Sequence, residues 1–236
     1  MATKNSKSKS SCSCSQKVDR RDFLKVTAVA GLLAGCSPVI ETPDPTTEPT
    51  ATTKPTLAPG ETPVLDLTGK KAVYVLPRKV YAEGCHEASA AALKACGVSI
   101  TLAAIEKKDV PGFGAGAPVL TPDKLLSEIQ AADYDAVIFE CGQPQETFNA
   151  DYQNLARETV AQNKVLAGIC MMPALMAAAG VLKGKQATSN INDQYVLEQF
   201  GAVLSDLDPV RDGKLVTASF EGSENFGWLI AEAMAE

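Results

Sequence analysis

The chain has 236 residues and a formal charge of −6, from 22 Lys and Arg against 28 Asp and Glu, and 45% of it is apolar. That length accommodates one or two domains. The acidic balance argues against nucleic-acid binding and against a head lying flat on anionic lipid.

Residues 1–15 are rich in Lys and Ser, and Asp19-Arg20-Arg21-Asp22-Phe23-Leu24-Lys25 precedes an apolar run at 26–34 that ends in Leu33-Ala34-Gly35-Cys36. A basic region, a short apolar segment and a small-residue cleavage site in this order read as an export signal. The arginine pair resembles a twin-arginine signal, with Asp19 where Ser or Thr is commoner, and Leu-Ala-Gly-Cys resembles the lipoprotein cleavage box. Residues 1–35 are therefore expected to be a signal peptide and Cys36 the lipidated residue, in an extracytoplasmic protein anchored to a bacterial membrane. The alternative is a spanning helix, but an apolar run of about nine residues is half of what one needs. Cleavage would leave 15 basic against 26 acidic residues, near −11.

Residues 37–63 repeat Thr, Pro and Glu with almost no large apolar side chain. Such a segment cannot bury enough surface to offset the entropy of ordering, so residues 36–67 read as a lipidated Cys and an extended, disordered linker. One acyl chain holds only marginally, so a stable anchor needs multiple acylation. Of seven cysteines, Cys12 and Cys14 would leave with the signal and Cys36 would carry lipid. Cys85, Cys96, Cys141 and Cys170 remain, with spacings of neither a zinc ribbon nor a secreted disulfide scaffold. No cofactor and no resident metal are expected.

From 68 to 236 short apolar strands alternate with amphipathic helices, the pattern of a parallel sheet covered on both faces. Strands are expected at 72–76, 98–104, 136–139, 165–169, 185–189 and 214–218. Helices are expected at 84–96, 151–162, 173–180, 193–200 and 224–235. Residues 110–118 form a Gly-rich loop, and 124–131 reads as a short helical turn. At 165–180, Val-Leu-Ala-Gly-Ile-Cys-Met-Met-Pro-Ala-Leu-Met-Ala-Ala-Ala-Gly, a buried strand runs straight into a helix with Cys170 on the corner. Pro173 suits the first helical turn. The Cys170 sulfur would then face unpaired backbone N–H groups and the positive helix end, which lowers a thiol pKa. The alternative is a buried cysteine acting as a small hydrophobe.

The block Cys170-Met171-Met172-Pro173-Ala174-Leu175 through Gly180-Val181-Leu182-Lys183-Gly184-Lys185-Gln186-Ala187-Thr188 resembles the ThiJ/PfpI family, also called the DJ-one superfamily. The likeness extends over 70–236. It implies an α/β fold of the class I glutamine amidotransferase type: a flavodoxin-like three-layer sandwich with a mostly parallel sheet and a strand-Cys-helix nucleophile elbow. Carried over by position, Cys170 is the nucleophile and Glu83 the carboxylate that contacts it. The Gly142 and Met171 N–H groups would form the oxyanion hole. A thiolate beside a carboxyl cannot tolerate two adjacent negative charges, so either Glu83 holds a proton with a raised pKa and donates it to sulfur, or the thiol stays neutral. The alternative for Glu83 is a carboxylate favoured at a helix N-terminus by the dipole alone.

This chain also departs from the family. Met171 stands where many members have His, Ser189 and Asn190 stand where others have His, and Glu140-Cys141-Gly142 replaces Pro-Gly-Gly. The only histidine, His86, reads as a solvated helix residue, the alternative being a base turned toward the site. A Cys-His-acid relay therefore lacks its usual base. Cys141 ends the strand expected beside that of Cys170. It is a candidate redox partner, forming a reversible disulfide or sharing a metal with Cys170; unrelated thiols lining a pocket are the alternative.

The resemblance implies a cysteine-dependent enzyme of small reactive carbonyls, a glyoxalase- or deglycase-like hydrolase or lyase. A redox sensor or ligand-binding head using Cys170 without turnover is the second reading. A solute-binding lipoprotein would need two lobes and more chain. The expected partners are a small-molecule substrate or oxidant and, through the lipid, the membrane. A homodimer rests on family analogy alone.

Overall fold

The computed structural model describes residues 65–142, 146 and 148–236. The expected signal peptide, Cys36 and nearly all of the expected linker lie outside them. Seven strands form the main sheet. β1 (Lys71–Val75), β2 (Ser99–Ala104), β6 (Ala136–Phe139), β7 (Val165–Ile169) and β11 (Leu215–Ala218) run parallel, and β5 (Lys124–Leu125) joins parallel at one edge. β10 (Val210–Asp212) closes the other edge antiparallel, giving the order β10-β11-β7-β6-β1-β2-β5. This is the expected α/β sandwich with a mostly parallel sheet.

Strand periodicity sends successive side chains to opposite faces. Val73, Val75, Val137, Phe139 and Leu166 pack toward α2 (Ala150–Ala161), α3 (Met172–Ala178) and α4 (Gln194–Gln199). Ala72, Tyr74, Ala136, Ile138, Ala167 and Ile169 pack toward α1 (Glu83–Ala95) and α5 (Ser223–Ala235). On that second face α1 and α5 approach so closely that a Cβ on Gly227 would lie 2.7 Å from the Ser89 backbone. Small residues there let both helices settle on the sheet.

The short helical turn expected at 124–131 is present as a 3-10 turn at Leu126–Glu128, but Lys124 and Leu125 before it pair with β2, and a second 3-10 turn follows at Ala131–Asp133. The Gly-rich loop is pinched by β3 (Val110–Pro111) against β4 (Val119–Leu120). The strand expected at 185–189 is only β8 (Gln186–Ala187), which pairs with β9 (Val203–Leu204) outside the main sheet. Among the described residues, no helix is long and apolar enough to cross a membrane.

Candidate active site

The carboxyl ends of parallel strands are where open α/β sheets place ligands. Here β6 ends at Glu140-Cys141-Gly142 and β7 ends at Cys170. Cys170 has φ 67°, a left-handed conformation that costs a non-glycine residue about 1–2 kcal/mol. The corner is held from two sides, by the Cys170 N–H donating to the Ala218 carbonyl at 2.9 Å and the Asn190 N–H donating to the Cys170 carbonyl at 3.0 Å. Gly168 lets the elbow form: a Cβ there would stand 2.7 Å from Met176 Sδ and 3.3 Å from the Met172 and Pro173 backbone. Strand and following helix are therefore in direct contact behind the sulfur.

Three donors meet that sulfur. The Cys141 thiol hydrogen-bonds to it, Asn190 Nδ2 donates to it at 3.0 Å, and the Met171 N–H points at it. Together they hold the Cys170 pKa below the ordinary thiol value, with Cys141 the largest contribution, against burial and the nearby Asp193 charge, which push it up. Cys141 shifts the other way: donation to Cys170 favours its protonated form, and burial adds to that. Of the pair, Cys170 is therefore the sulfur that ionises first and Cys141 the one that keeps its proton longer. Both are free thiols.

A cavity of about 500 Å³ opens beside this pair, lined among others by Tyr81, Glu83, Phe113, Cys141, Gly142 and Phe220. Cys141 lines it directly, and Cys170, 8% exposed, lies against Cys141. At Gly142 the turn runs close to two side chains: a Cβ there would displace the Glu146 carboxylate and stand 2.9 Å from Met172 Cε. That carboxylate in turn accepts the Arg78 N–H at 2.7 Å.

The expectation for Glu83 is corrected. Its carboxylate lines the cavity but accepts the Phe113 N–H at 2.9 Å and the Gly114 N–H at 3.0 Å. Its pKa is lowered, by its own N–H first and then by those loop amides against some burial, so it is a carboxylate clasping the Gly-rich loop and holds no proton. The α1 residue that turns toward the elbow is Cys85, two positions on and so on a different side of the helix. Cys85 is 1% exposed, and burial, then Glu140 and Cys170, push its thiol up to about 12.

His86 is corrected as well. It is buried, its Nδ1 lies 2.9 Å from Glu140 Oε2, and Tyr74 and Tyr81 meet its ring edge-on with centroids 4.9 and 5.7 Å away. Glu140 Oε1 also accepts the Cys141 N–H at 3.2 Å. The pair thus braces the turn that carries Cys141. Helical spacing held the signal: Cys85, His86, Ser89, Ala90 and Leu93 form one inward face. Asn190 was marked in the sequence only as a place lacking a histidine, and nothing local showed that it meets Cys170. Among the described residues no group of three or more His, Cys, Asp or Glu is arranged to hold a metal ion.

The family model described as DJ-1/PfpI family matches residues 71–233. The chain is 29% identical over 140 residues to a protein of Pyrococcus furiosus named deglycase PfpI, covering 58% of this chain and 82% of that one. An uncharacterized protein of Methanocaldococcus jannaschii is 32% identical over 104 residues, 42% of this chain and about half, 51%, of its own length. The solved ThiJ/PfpI domain protein of Brachyspira murdochii superposes with a TM-score of 0.66 at 22% identity, over 70% of this chain and 98% of that one.

Proposed function

The chain belongs to the DJ-1/PfpI family, and from that premise we propose a cysteine-dependent enzyme of small reactive carbonyls, deglycase- or glyoxalase-like, with Cys170 as nucleophile. The observation that carries this reading is the strained elbow whose sulfur faces three donors. The deglycase name of the Pyrococcus relative supports it.

In this reading a small aldehyde enters the cavity between Tyr81, Phe113 and Phe220, aromatic walls that keep water sparse around the sulfur. The Cys170 thiolate attacks the carbonyl carbon, a C–S bond forms, and the carbonyl π pair moves onto oxygen. Met171 N–H, already beside the sulfur, and Gly142 N–H, at the cavity wall, stabilise that oxygen, a contribution often worth about 3–4 kcal/mol. Cys141 supplies the proton, the role the sequence had assigned to Glu83. With no histidine at the sulfur, the thiol pair replaces a Cys-His relay.

The test is lactate formation from methylglyoxal by the full chain beside a Cys170→Ala variant. Turnover lost in the variant supports the reading, whereas wild-type protein without turnover, or a variant that retains it, overturns it. We also place this domain outside the cytoplasm, tethered through lipid at Cys36, on the strength of the Arg20-Arg21 pair and the Leu33-Ala34-Gly35-Cys36 box. Labelled fatty acid entering the chain in a bacterial host, and lost in Cys36→Ser, is the expected result.

A further inference from the structure

We infer that Cys141 is a resolving thiol: a hydroperoxide oxidises Cys170, Cys141 closes on it as an intramolecular disulfide, and an external dithiol reopens the bond, so that the protein consumes peroxide. This uses the nucleophile of the proposed function but does not require carbonyl turnover.

The geometry comes from the sheet. β6 and β7 pair in parallel with Phe139 opposite Gly168. Just beyond that pair the two strands end side by side at Cys141 and Cys170, and both side chains pack against the same buried cluster on the α1 and α5 face. Neighbouring strands lie about 4.8 Å apart, within the span of about 4.4–6.8 Å between Cα atoms that a disulfide bridges. The two thiols are close enough to act on each other's protonation, lowering the pKa of Cys170 and raising that of Cys141. No other described cysteine combines that proximity with an opening. Cys96 caps the far end of α1, and Cys85, though near, is sealed from solvent and holds its proton.

The protons and electrons balance without another residue. The Cys170 thiolate attacks the distal oxygen of R–O–OH, the O–O bond breaks, RO⁻ leaves to take a proton from water, and sulfur becomes the sulfenic acid S–OH. The Cys141 sulfur then attacks the Cys170 sulfur and the S–OH bond breaks. The proton that Cys141 had been donating leaves with the hydroxide as water, and one S–S bond remains. Two electrons from the thiol pair have reduced the peroxide to alcohol and water. A dithiol of thioredoxin or dithiothreitol type restores both thiols by exchange. Access matches this sequence of events: the 8% exposure of Cys170 admits a small peroxide, and Cys141 at the cavity wall presents the disulfide to a reductant.

The experiment treats the full chain with one equivalent of hydrogen peroxide, blocks remaining thiols with iodoacetamide, and maps peptides by mass without reductant. The expected product links the Cys141 and Cys170 peptides, with two hydrogens lost, and dithiothreitol separates them. Steady peroxide consumption with dithiothreitol is expected to be lost in both Cys170→Ser and Cys141→Ser. In Cys141→Ser, whose hydroxyl keeps a donor beside the sulfur, Cys170 is expected to remain alkylatable before peroxide, showing a folded site, and to advance to the sulfinic acid after it. A Cys85→Ala variant is expected to form the same bridge. Cys170 sulfinate accumulating in the wild type while Cys141 stays alkylatable overturns the inference. A bridge to Cys85, or undiminished peroxide consumption by Cys141→Ser, overturns it equally. The map is read without any aldehyde, so failure of carbonyl turnover leaves it interpretable.

Discussion

Asn190 Nδ2 donates to Cys170 Sγ at 3.0 Å while Asn190 Oδ1 accepts the Phe220 N–H at 2.9 Å. The second bond fixes the orientation of the amide, so its NH₂ rather than its oxygen faces the sulfur. A residue 20 positions beyond the elbow is thereby turned into a donor for the thiolate.

Asn190→Ala removes that donor. A hydrogen bond to a charged group contributes about 1.5–3 kcal/mol, so the Cys170 pKa is expected to rise by about one to two units at 1.36 kcal/mol each. Thiolate content grows as pH rises through the pKa. The wild-type iodoacetamide rate therefore reaches half its maximum on the acid side of the ordinary thiol value, and the Asn190→Ala curve shifts toward alkaline pH. A pH series of alkylation rates measures both.

Glu83→Gln is expected to leave that alkylation curve in place, because the Glu83 carboxylate serves Phe113 and Gly114 and carries no proton for the sulfur. Glu83→Ala is expected to loosen the loop it clasps. Hydrogen exchange at the Phe113 and Gly114 amides would rise selectively. A large alkaline shift of the curve in Glu83→Gln would restore the carboxyl to the sulfur's chemistry.

The His86–Glu140 pair, with side chains 10% and 1% exposed, is a structural brace. Removing one partner of a buried pair leaves the other unsatisfied, at a cost of about 3–5 kcal/mol. Glu140→Ala and His86→Ala are each expected to lower the urea midpoint by a corresponding amount. Their double mutant is expected to lose much less than the sum, as a double-mutant cycle would show.

Gly168→Ala tests the contact behind the elbow. The added methyl meets Met176 Sδ at 2.7 Å and backbone at 3.3 Å. Overpacking of this kind costs about 1–3 kcal/mol. Lower stability in urea together with slower Cys170 alkylation is expected, since relief of the clash shifts the fully buried Met176 side chain and moves the start of α3 away from β7.

The alternation of strands and helices, the strand at 136–139 and the elbow at Cys170 were legible from local pattern, because periodicity and turn chemistry act over a few residues. So was the adjacency of Cys141 and Cys170, once the resemblance supplied the strand order. The short edge pieces at β5 and β10 were not, because so few residues carry no periodicity of their own and take their conformation from the strand they join.

By itself, then, the sequence determined the layered fold and the corner cysteine, both written in contiguous composition. Only the tertiary structure decided which neighbours the sulfur has. Crossovers place β7 between β6 and β11, which brings Cys141 and Asn190 to Cys170. Helix phase turns Cys85 and His86 inward and leaves Glu83 to the loop 30 residues away. Proton ownership at this site follows from those distances and from burial. Both come from parts of the chain far apart in sequence, so no local window contains them.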